Sequence, residues 1–180
     1  MGTDTPCLAP VGNVAPSPTE NPMSVHASRG YFGVAVWHPK VGINIGTLWR
    51  SAAILDAAFL CTIGKRYPPQ ASDTIKAPRH TPLWHFTTPD DFWEHIPPDC
   101  RSIAVEIHKR AKSLPTFVHP ERAVYILGPE DGSLPESLVD RAYAVIQIPG
   151  AYCFNLAVAG SIVLYDRIAK RTDVQQREGL

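Results

Sequence analysis

Three stretches of sequence decide the fold: N-I-G-T-L-W-R at residues 44–50, L-G-P-E-D-G-S-L-P at residues 127–135 and I-P-G-A-Y-C-F-N-L at residues 148–156. Each stretch follows an apolar run of strand length and precedes a segment with the pattern of a helix. In a parallel sheet, loops of this kind lie together at the carboxyl edge, where they can present backbone donors and polar side chains to a ligand. The order of the three stretches therefore predicts one site built from three loops.

The rest of the chain predicts an α/β fold, a mostly parallel sheet with helices on both faces, because short β-branched runs alternate with helix-length segments. The predicted strands are 32–37, 59–63, 83–86, 103–107, 123–127 and 144–148. We expect helices from Asn44, after Pro89, from Pro135 with Glu136, and from about Asn155 to Arg171. Residues 1–28, rich in Pro and small polar residues, predict a flexible tail, which leaves 29–180 as the folded domain.

The charge of the chain is balanced, with 17 Lys and Arg against 17 Asp and Glu. The first 28 residues hold only Asp4 and Glu20, so the remainder carries a net charge of +2. A phosphate-rich partner would therefore be met by local basic clusters, each of which could equally be a solvated face. These clusters are Lys65-Arg66, Lys76 with Arg79-His80, and Lys109-Arg110 with Lys112.

The four cysteines, at 7, 61, 100 and 153, form no CxxC pair and no regular framework. Reduced thiols of a cytoplasmic protein fit this pattern best. The histidines show no HxxxH spacing and no zinc-like pairing with cysteine, so we expect no metal. No apolar run approaches the roughly 20 residues of a membrane helix, and the N-terminus lacks the basic start and apolar core of a signal peptide.

The last predicted helix is apolar nearly all round from Leu156 to Tyr165. Such a helix must be covered on more than one side. Small residues at Ala157, Gly160 and Ser161 would let another backbone approach closely, so one face could pack on the sheet and another on a second subunit. Burial of the whole helix within one subunit is the alternative.

Other interpretations of the three stretches are weaker. Gly42 and Gly46 open a helix, but their spacing does not match the dinucleotide-binding fingerprint. The first stretch instead offers two candidate functional residues. Asn44 is placed to cap that helix, and Arg50 is placed to aim a guanidinium into the same cleft. Cys153, just before a helix, would gain thiolate character there, but no His lies at a motif-defining distance for a catalytic pair.

Taken together, N-I-G-T-L-W-R-S-A, I-L-G-P-E-D-G-S-L-P and I-P-G-A-Y-C-F-N-L-A-V-A-G-S-I-V-L-Y resemble the three motifs of the SpoU/TrmH-type RNA ribose 2′-O-methyltransferases of the SPOUT superfamily. The resemblance covers roughly residues 31–171. It implies a sheet whose C-terminal segment forms a deep trefoil knot, a homodimer, and S-adenosylmethionine as cofactor. It also implies an RNA substrate, with tRNA favoured, since relatives acting on rRNA often carry an added N-terminal RNA-binding domain.

The resemblance also implies roles for individual residues. S-adenosylmethionine would be held by loops that contain Val105, Glu106, Leu127, Gly128, Gly132, Ile148, Pro149, Cys153, Phe154 and Asn155. Arg50 would act at the ribose and phosphate of the RNA, supported by Glu130 and by Asn44 and Asn155. Because the pKa of a guanidinium lies above about 12, we expect Arg50 to orient the RNA rather than to remove its proton.

The RNA itself would be bound by basic residues near the site. The candidates are Arg50, Arg79, His80, Lys109, Arg110 and Lys112. A rival interpretation is a non-catalytic RNA-binding or assembly module that keeps the knotted fold but has lost methyl transfer. The joint presence of Asn44, Arg50, Glu130 and Asn155 argues against it.

Overall fold

A seven-stranded parallel sheet forms the centre of the protein. The computed structural model describes residues 30–67 and 79–178, with side chains as far as residue 171. The strands are β1 (Phe32–Trp37), β2 (Phe59–Ile63), β3 (Leu83–Phe86), β4 (Arg101–Val105), β5 (Lys112–Ser113), β6 (Ala123–Leu127) and β7 (Ala144–Gln147). Their order in the sheet is β3-β2-β1-β6-β4-β7-β5, and every neighbouring pair is parallel. The predicted α/β class is confirmed.

In the residues that the structure describes, four helices cover the two faces of this sheet. They are α1 (Gly42–Ile54), α2 (Pro89–His95), α3 (Glu136–Arg141) and α4 (Leu156–Glu178), with a short 3-10 turn at Leu114–Thr116. Apolar side chains of α1 and α4 share one core with Val34, Val36 and Leu60 of the sheet. Those of α2 and α3 share the other core with Ala35 and Cys61. Burial of both faces explains why the central strands are continuous apolar runs.

The structure differs from the predicted elements at a few ends. Strand β4 begins at Arg101 and ends at Val105, two residues earlier than predicted, and α4 continues to Glu178. The two-residue strand β5 was not predicted, because a pair of residues carries no periodic pattern. The predicted flexible tail at 1–28 lies outside the described residues. The deep trefoil knot stays a prediction.

Helix α4 uses its small residues inside one chain. Gly160 is buried, and a Cβ there would overlap the side chain of Leu48 on α1. Ser161 donates a hydrogen bond of 2.8 Å to the hydroxyl of Ser51, also on α1. The predicted packing of this small-residue face against a second subunit is therefore wrong: it is the seam between α1 and α4, where close approach requires glycine.

The middle of α4 is fixed by a buried polar network. Arg167 is fully buried and donates to the carbonyl oxygens of Pro120 and Glu121, at 2.7 Å each, and to the hydroxyl of Tyr125 at 3.0 Å. His119 lies between that hydroxyl, at 2.6 Å, and the carboxylate of Asp166, at 2.8 Å. Because the partners are the carbonyls of Pro120 and Glu121, His119 and the Tyr125 hydroxyl, the network ties α4 to β6 and to the segment before it.

The network makes stability depend on pH. Burial lowers the pKa of His119 from its ordinary 6.5 to about 4, helped by the charge of Arg167 and opposed by the hydrogen bond to Asp166. The unfolded chain therefore binds more protons between these values, so the contribution of neutral His119 is complete above about pH 6.5 and is lost as the pH falls towards 4.

We predict that the free energy of unfolding falls by roughly 2 kcal/mol more in the wild type than in His119→Gln between pH 7 and about pH 4.5. Urea denaturation at the two pH values measures this difference. His80→Gln, a change at an exposed histidine outside the network, is the control and should keep the wild-type pH dependence. Equal pH dependence in the wild type and His119→Gln would contradict the assignment.

Candidate active site at the carboxyl edge of the sheet

The carboxylate of Glu130 joins the loop after β6 to the loop after β1. Its Oε2 accepts a hydrogen bond from the backbone N–H of Lys40 at 3.0 Å. Its Oε1 accepts from the backbone N–H of Val41 at 3.1 Å and from the side-chain amide of Asn44 at 2.9 Å. Two of these donors are the unpaired N–H groups that precede α1. Glu130 therefore fixes the entry to α1 from a loop about 90 residues later in the chain.

These hydrogen bonds also set the charge of Glu130. Partial burial raises its pKa, but the hydrogen bonds from Asn44, Lys40 and Val41 outweigh burial and leave the pKa below its ordinary value. The carboxylate is thus ionised at neutral pH. A carboxylate with a lowered pKa that already accepts three hydrogen bonds is a poor proton acceptor and a good structural anchor.

Two asparagines extend this connection to the third loop. The amide of Asn155 donates to Oδ1 of Asn44 at 3.1 Å. The Oδ1 of Asn155 accepts from the backbone N–H groups of Ala157 and Val158, so Asn155 caps α4 as expected. The predicted cap at Asn44 is wrong: α1 begins at Gly42, which places Asn44 inside the first turn, where its amide binds Glu130 and its oxygen binds Asn155.

A cavity of about 370 Å³ lies beside this chain of hydrogen bonds. All the residues predicted to hold a cofactor line it, except Pro149 and Asn155. The structure adds lining residues that the sequence did not indicate, namely Ile107, Pro129, Asp131, Gln147, Tyr152, Leu156 and Ala159. Glu130 also lines the cavity, so the cavity and the hydrogen-bonded chain form one site.

Glu106 holds two walls of the cavity together. Its Oε2 accepts from the backbone N–H of Leu134 at 2.8 Å, and its Oε1 accepts from the N–H of Ile107 at 3.0 Å. The carboxylate also lies near Gly128, where a Cβ would be 3.5 Å from Oε2. Glu106 thus places a charge in the cavity and fixes the glycine loop after β6.

Arg50 does not line this cavity. It lies six residues after Asn44 on α1, about 9 Å along the axis and rotated by roughly 240°. This rotation turns Arg50 away from Asn44 and puts it on the exposed face with Ile43 and Ile54. Within one chain, Arg50 and Asn44 therefore lie on different sides of α1, and the expected role of Arg50 at the cleft stays a prediction.

The predicted RNA-binding residues lie on different edges of the sheet. Arg79 and His80 precede β3, at the amino edge, opposite Glu130. Lys109 is exposed in the loop after β4 and Lys112 on the edge strand β5, near the carboxyl edge. Arg110 lies in the same loop, where it donates to the backbone oxygen of Val139 and to Asp140 of α3.

Comparison with known proteins agrees with this architecture. The model of the SpoU rRNA Methylase family matches residues 32–165. No curated protein sequence matches the chain. In the described parts of the chain, no helix is long and apolar enough to cross a membrane, and no group of three His, Cys, Asp or Glu residues could hold a metal ion.

Solved structures share the fold. The SpoU methyltransferase AviRb from Streptomyces viridochromogenes has a TM-score of 0.71 at 19% identity, over 79% of this chain and 60% of that one. The TrmH/SpoU tRNA modifying enzyme of A. aeolicus gives 0.72 at 18% identity, over 82% and 78%. A protein studied for the 2-OH methylation of C/U34 on tRNA gives 0.68 at 23% identity, over 82% and 94%. At these identities the likeness establishes the fold.

We predict that Glu130→Gln lowers the free energy of unfolding by about 1 to 3 kcal/mol. The new amide can keep one oxygen for Val41 and Asn44, but its NH₂ group then faces the N–H of Lys40. Urea denaturation measures the loss, and hydrogen exchange should show faster exchange at the amides of Lys40 and Val41.

Asp131→Asn is the matched control, because Asp131 forms only an exposed ion pair with Lys40, at 2.7 Å. Exposed pairs of this kind contribute little to stability. We expect the control to leave both measurements unchanged. Wild-type exchange at Lys40 and Val41 in the Glu130→Gln protein would show that the carboxylate does not hold the turn.

Proposed function

Because the chain belongs to the SpoU rRNA methylase family, we propose that it is an RNA methyltransferase that uses S-adenosylmethionine and modifies ribose 2′-hydroxyl groups. One observation carries the proposal: the cavity at the carboxyl edge shares Glu130 with the hydrogen-bonded chain through Asn44 and Asn155. A ligand site and a rigid polar constellation therefore meet at one place, as a transfer between two bound substrates requires.

The cavity suits the cofactor in size and lining. Its volume lies within the range of small-molecule sites, and most of its lining residues lie in the loops after β4, β6 and β7, many of them apolar. Among the relatives, AviRb has been solved in complex with the cofactor AdoMet. We propose that the loops after β4, β6 and β7 hold S-adenosylmethionine through their backbone groups, with Glu106 beside its polar atoms. When bound, this cofactor supplies an electrophilic methyl group.

The residues around the cavity would act by positioning. The hydrogen bonds among Glu130, Asn44 and Asn155 hold three loops in fixed positions, so that the RNA ribose meets the cofactor in one orientation. Arg50 would bind the ribose and the adjacent phosphate, because a planar guanidinium recognises such oxygens with paired hydrogen bonds. We therefore assign Arg50 to orienting the RNA and not to removing the 2′-hydroxyl proton.

We favour tRNA as the substrate. The neighbour studied for methylation of tRNA is matched over 94% of its length, whereas an rRNA methyltransferase from Sinorhizobium meliloti is matched over 59%. We also propose contacts with RNA by Lys109 and Lys112, which are exposed near the site, while such contacts by Arg79, His80 and Arg110 stay a prediction. The free thiols of Cys61, Cys100 and Cys153 suit the proposed cytoplasmic location.

A homodimer would complete the site. The outer faces of α1 and α4 expose four apolar side chains, Ile43, Ile54, Val158 and Tyr165. Arg50 lies on the same face of α1 as Ile43 and Ile54. A second copy that covers this face would bury the apolar side chains and place Arg50 beside the partner. This arrangement supports a role for Arg50 at a site to which both subunits contribute.

The function is tested by incubating the protein with methyl-labelled S-adenosylmethionine and separated tRNA and rRNA fractions. We expect label in tRNA, at a nucleotide that mapping identifies as 2′-O-methylated. Arg50→Ala should lower the rate at least 100-fold while S-adenosylhomocysteine affinity, measured by calorimetry, stays within a few-fold. Arg50→Lys should restore little, because a point charge does not replace a planar fork.

The matched control for Arg50 is Arg101→Ala, a change at an exposed arginine on the amino edge, which should keep the wild-type rate. Label on a base would contradict ribose methylation. Cofactor and RNA binding without any transfer would favour the non-catalytic RNA-binding module. Substantial activity in Arg50→Ala would remove this residue from the mechanism.

Dimerisation is tested with a pair of matched substitutions. Val158→Asp puts a charge on the outer face of α4, where Val158 is 46% exposed, and we expect it to convert a dimer into a monomer at micromolar concentration. Val118→Asp puts the same charge at a position that is 86% exposed and outside this face, and should leave the dimer intact. Sedimentation velocity measures both. A monomeric wild type, or a dimeric Val158→Asp, would contradict the proposed interface.

A further inference from the structure

A row of basic side chains continues the carboxyl edge of the sheet beyond the site. His38 follows β1, and Lys65 and Arg66 follow β2. All three side chains are exposed. The sheet order places β1 between β6, which leads to Glu130, and β2. With neighbouring strands about 4.8 Å apart, the end of β2 lies about 10 Å from the end of β6. We name His38, Lys65 and Arg66 the cationic ledge.

The backbone of the ledge has an unusual conformation. His38 has a φ of 43°, which is rare for a residue other than glycine, and Gly64 has a φ of 81°. The backbone N–H of His38 donates to the carbonyl oxygen of Ile63 at 2.9 Å. A Cβ on Gly64 would overlap the imidazole of His38, so the two turns fit together only with glycine at this position. A backbone conformation this rare costs free energy. It persists where the surrounding structure fixes it, often at functional sites.

Positive charge on the ledge lacks a counter-charge among the residues that the structure describes. In the described part of the chain, Lys40, Arg110, Arg122, Arg141 and Lys170 each form an ion pair with an aspartate. In the same part of the chain, neither Lys65 nor Arg66 forms an ion pair with a carboxylate. Arg66 faces His85 of β3. Burial is the main cause that lowers the pKa of His85, and the positive charge of Arg66 lowers it further. The ledge is therefore a cationic surface one strand away from the turn that Glu130 holds.

We propose that the cationic ledge binds the phosphates of RNA nucleotides next to the one that is methylated. This inference rests on the proposed RNA substrate and adds a binding surface to it. Lys65 and Arg66 would supply charge to the phosphate oxygens, and the imidazole of His38, fixed by its turn, would supply a hydrogen bond. An RNA strand with its target ribose at the cavity would then extend along the ends of β1 and β2.

The test compares two double variants that remove the same charge. Lys65→Gln with Arg66→Gln changes the ledge, and Arg101→Gln with Arg122→Gln changes exposed arginines at the amino edge. Fluorescein-labelled total tRNA is titrated with each protein by anisotropy over a salt series from about 50 to 200 mM. S-adenosylhomocysteine binding by calorimetry checks that each variant is folded and keeps its cavity.

We expect the ledge variant to bind tRNA at least about ten-fold more weakly and its log–log salt slope to be smaller by about 1.5, since two phosphate contacts are lost. The amino-edge variant should keep both wild-type values. Wild-type affinity and slope in the ledge variant, or equal losses in both variants, would contradict the proposal that the ledge binds RNA phosphates.

Failure of the ledge and failure of the proposed function can be told apart. If the wild type methylates tRNA but the ledge variant binds like the wild type, only the ledge is wrong. If the wild type binds tRNA but methylates no RNA, and only the ledge variant binds tRNA more weakly, the ledge is confirmed as a binding surface and the proposed reaction is wrong. A wild type that does not bind tRNA would overturn both.

Discussion

The carboxylate of Glu130 is the interaction on which the candidate site depends. A parallel sheet brings the ends of β1, β6 and β7 to one edge, but it does not fix the loops that follow them. Glu130 does so by accepting hydrogen bonds from Lys40, Val41 and Asn44, and Asn44 passes the connection to Asn155 at the start of α4. Because these donors precede or open α1 and Asn155 caps α4, one ionised side chain sets the positions of two helices and three loops. The cavity borders this chain of bonds, so the shape of the ligand site and the local fold have the same cause.

The packing of α4 explains why a mostly structural helix is also part of a functional region. Its first turns lie against α1 through Gly160 and Ser161, and its middle is tied by Arg167 to the segment before β6. A helix held at these two places keeps its N-terminal turn, with Asn155, in a fixed place beside the cavity. The outer faces of α1 and α4 remain apolar and carry Arg50, so the same helix pair supports the proposed dimer. Fold stability, the proposed cofactor site and the proposed dimer are thus coupled through a few buried contacts.

Most of the fold could be predicted from the sequence because parallel strands buried on both faces leave continuous apolar runs. Strands β1, β2, β3 and β6 have their predicted limits, whereas β5 is too short to leave a pattern. The site was predictable as three loops, since Gly128, Glu130 and Asn155 lie in segments that connect a strand to the next helix. The hydrogen-bond partners of these residues could not be predicted from the sequence. That Asn44 binds Glu130 and does not cap α1, and that Arg50 turns away from the cavity, follow from the exact start and rotation of α1, which periodicity does not fix. The role of Gly160 within one chain likewise depends on which helix lies opposite it.

The central claim is that the loops joined by Glu130 form the binding site of the methyl donor. A crystal structure of the protein with S-adenosylhomocysteine tests this claim most directly. The account predicts that the ligand fills the cavity between the loops after β4, β6 and β7, and that Glu130 keeps its hydrogen bonds to Lys40, Val41 and Asn44. Ligand bound elsewhere on the protein, or bound in the cavity only after Glu130 has left these partners, would contradict it.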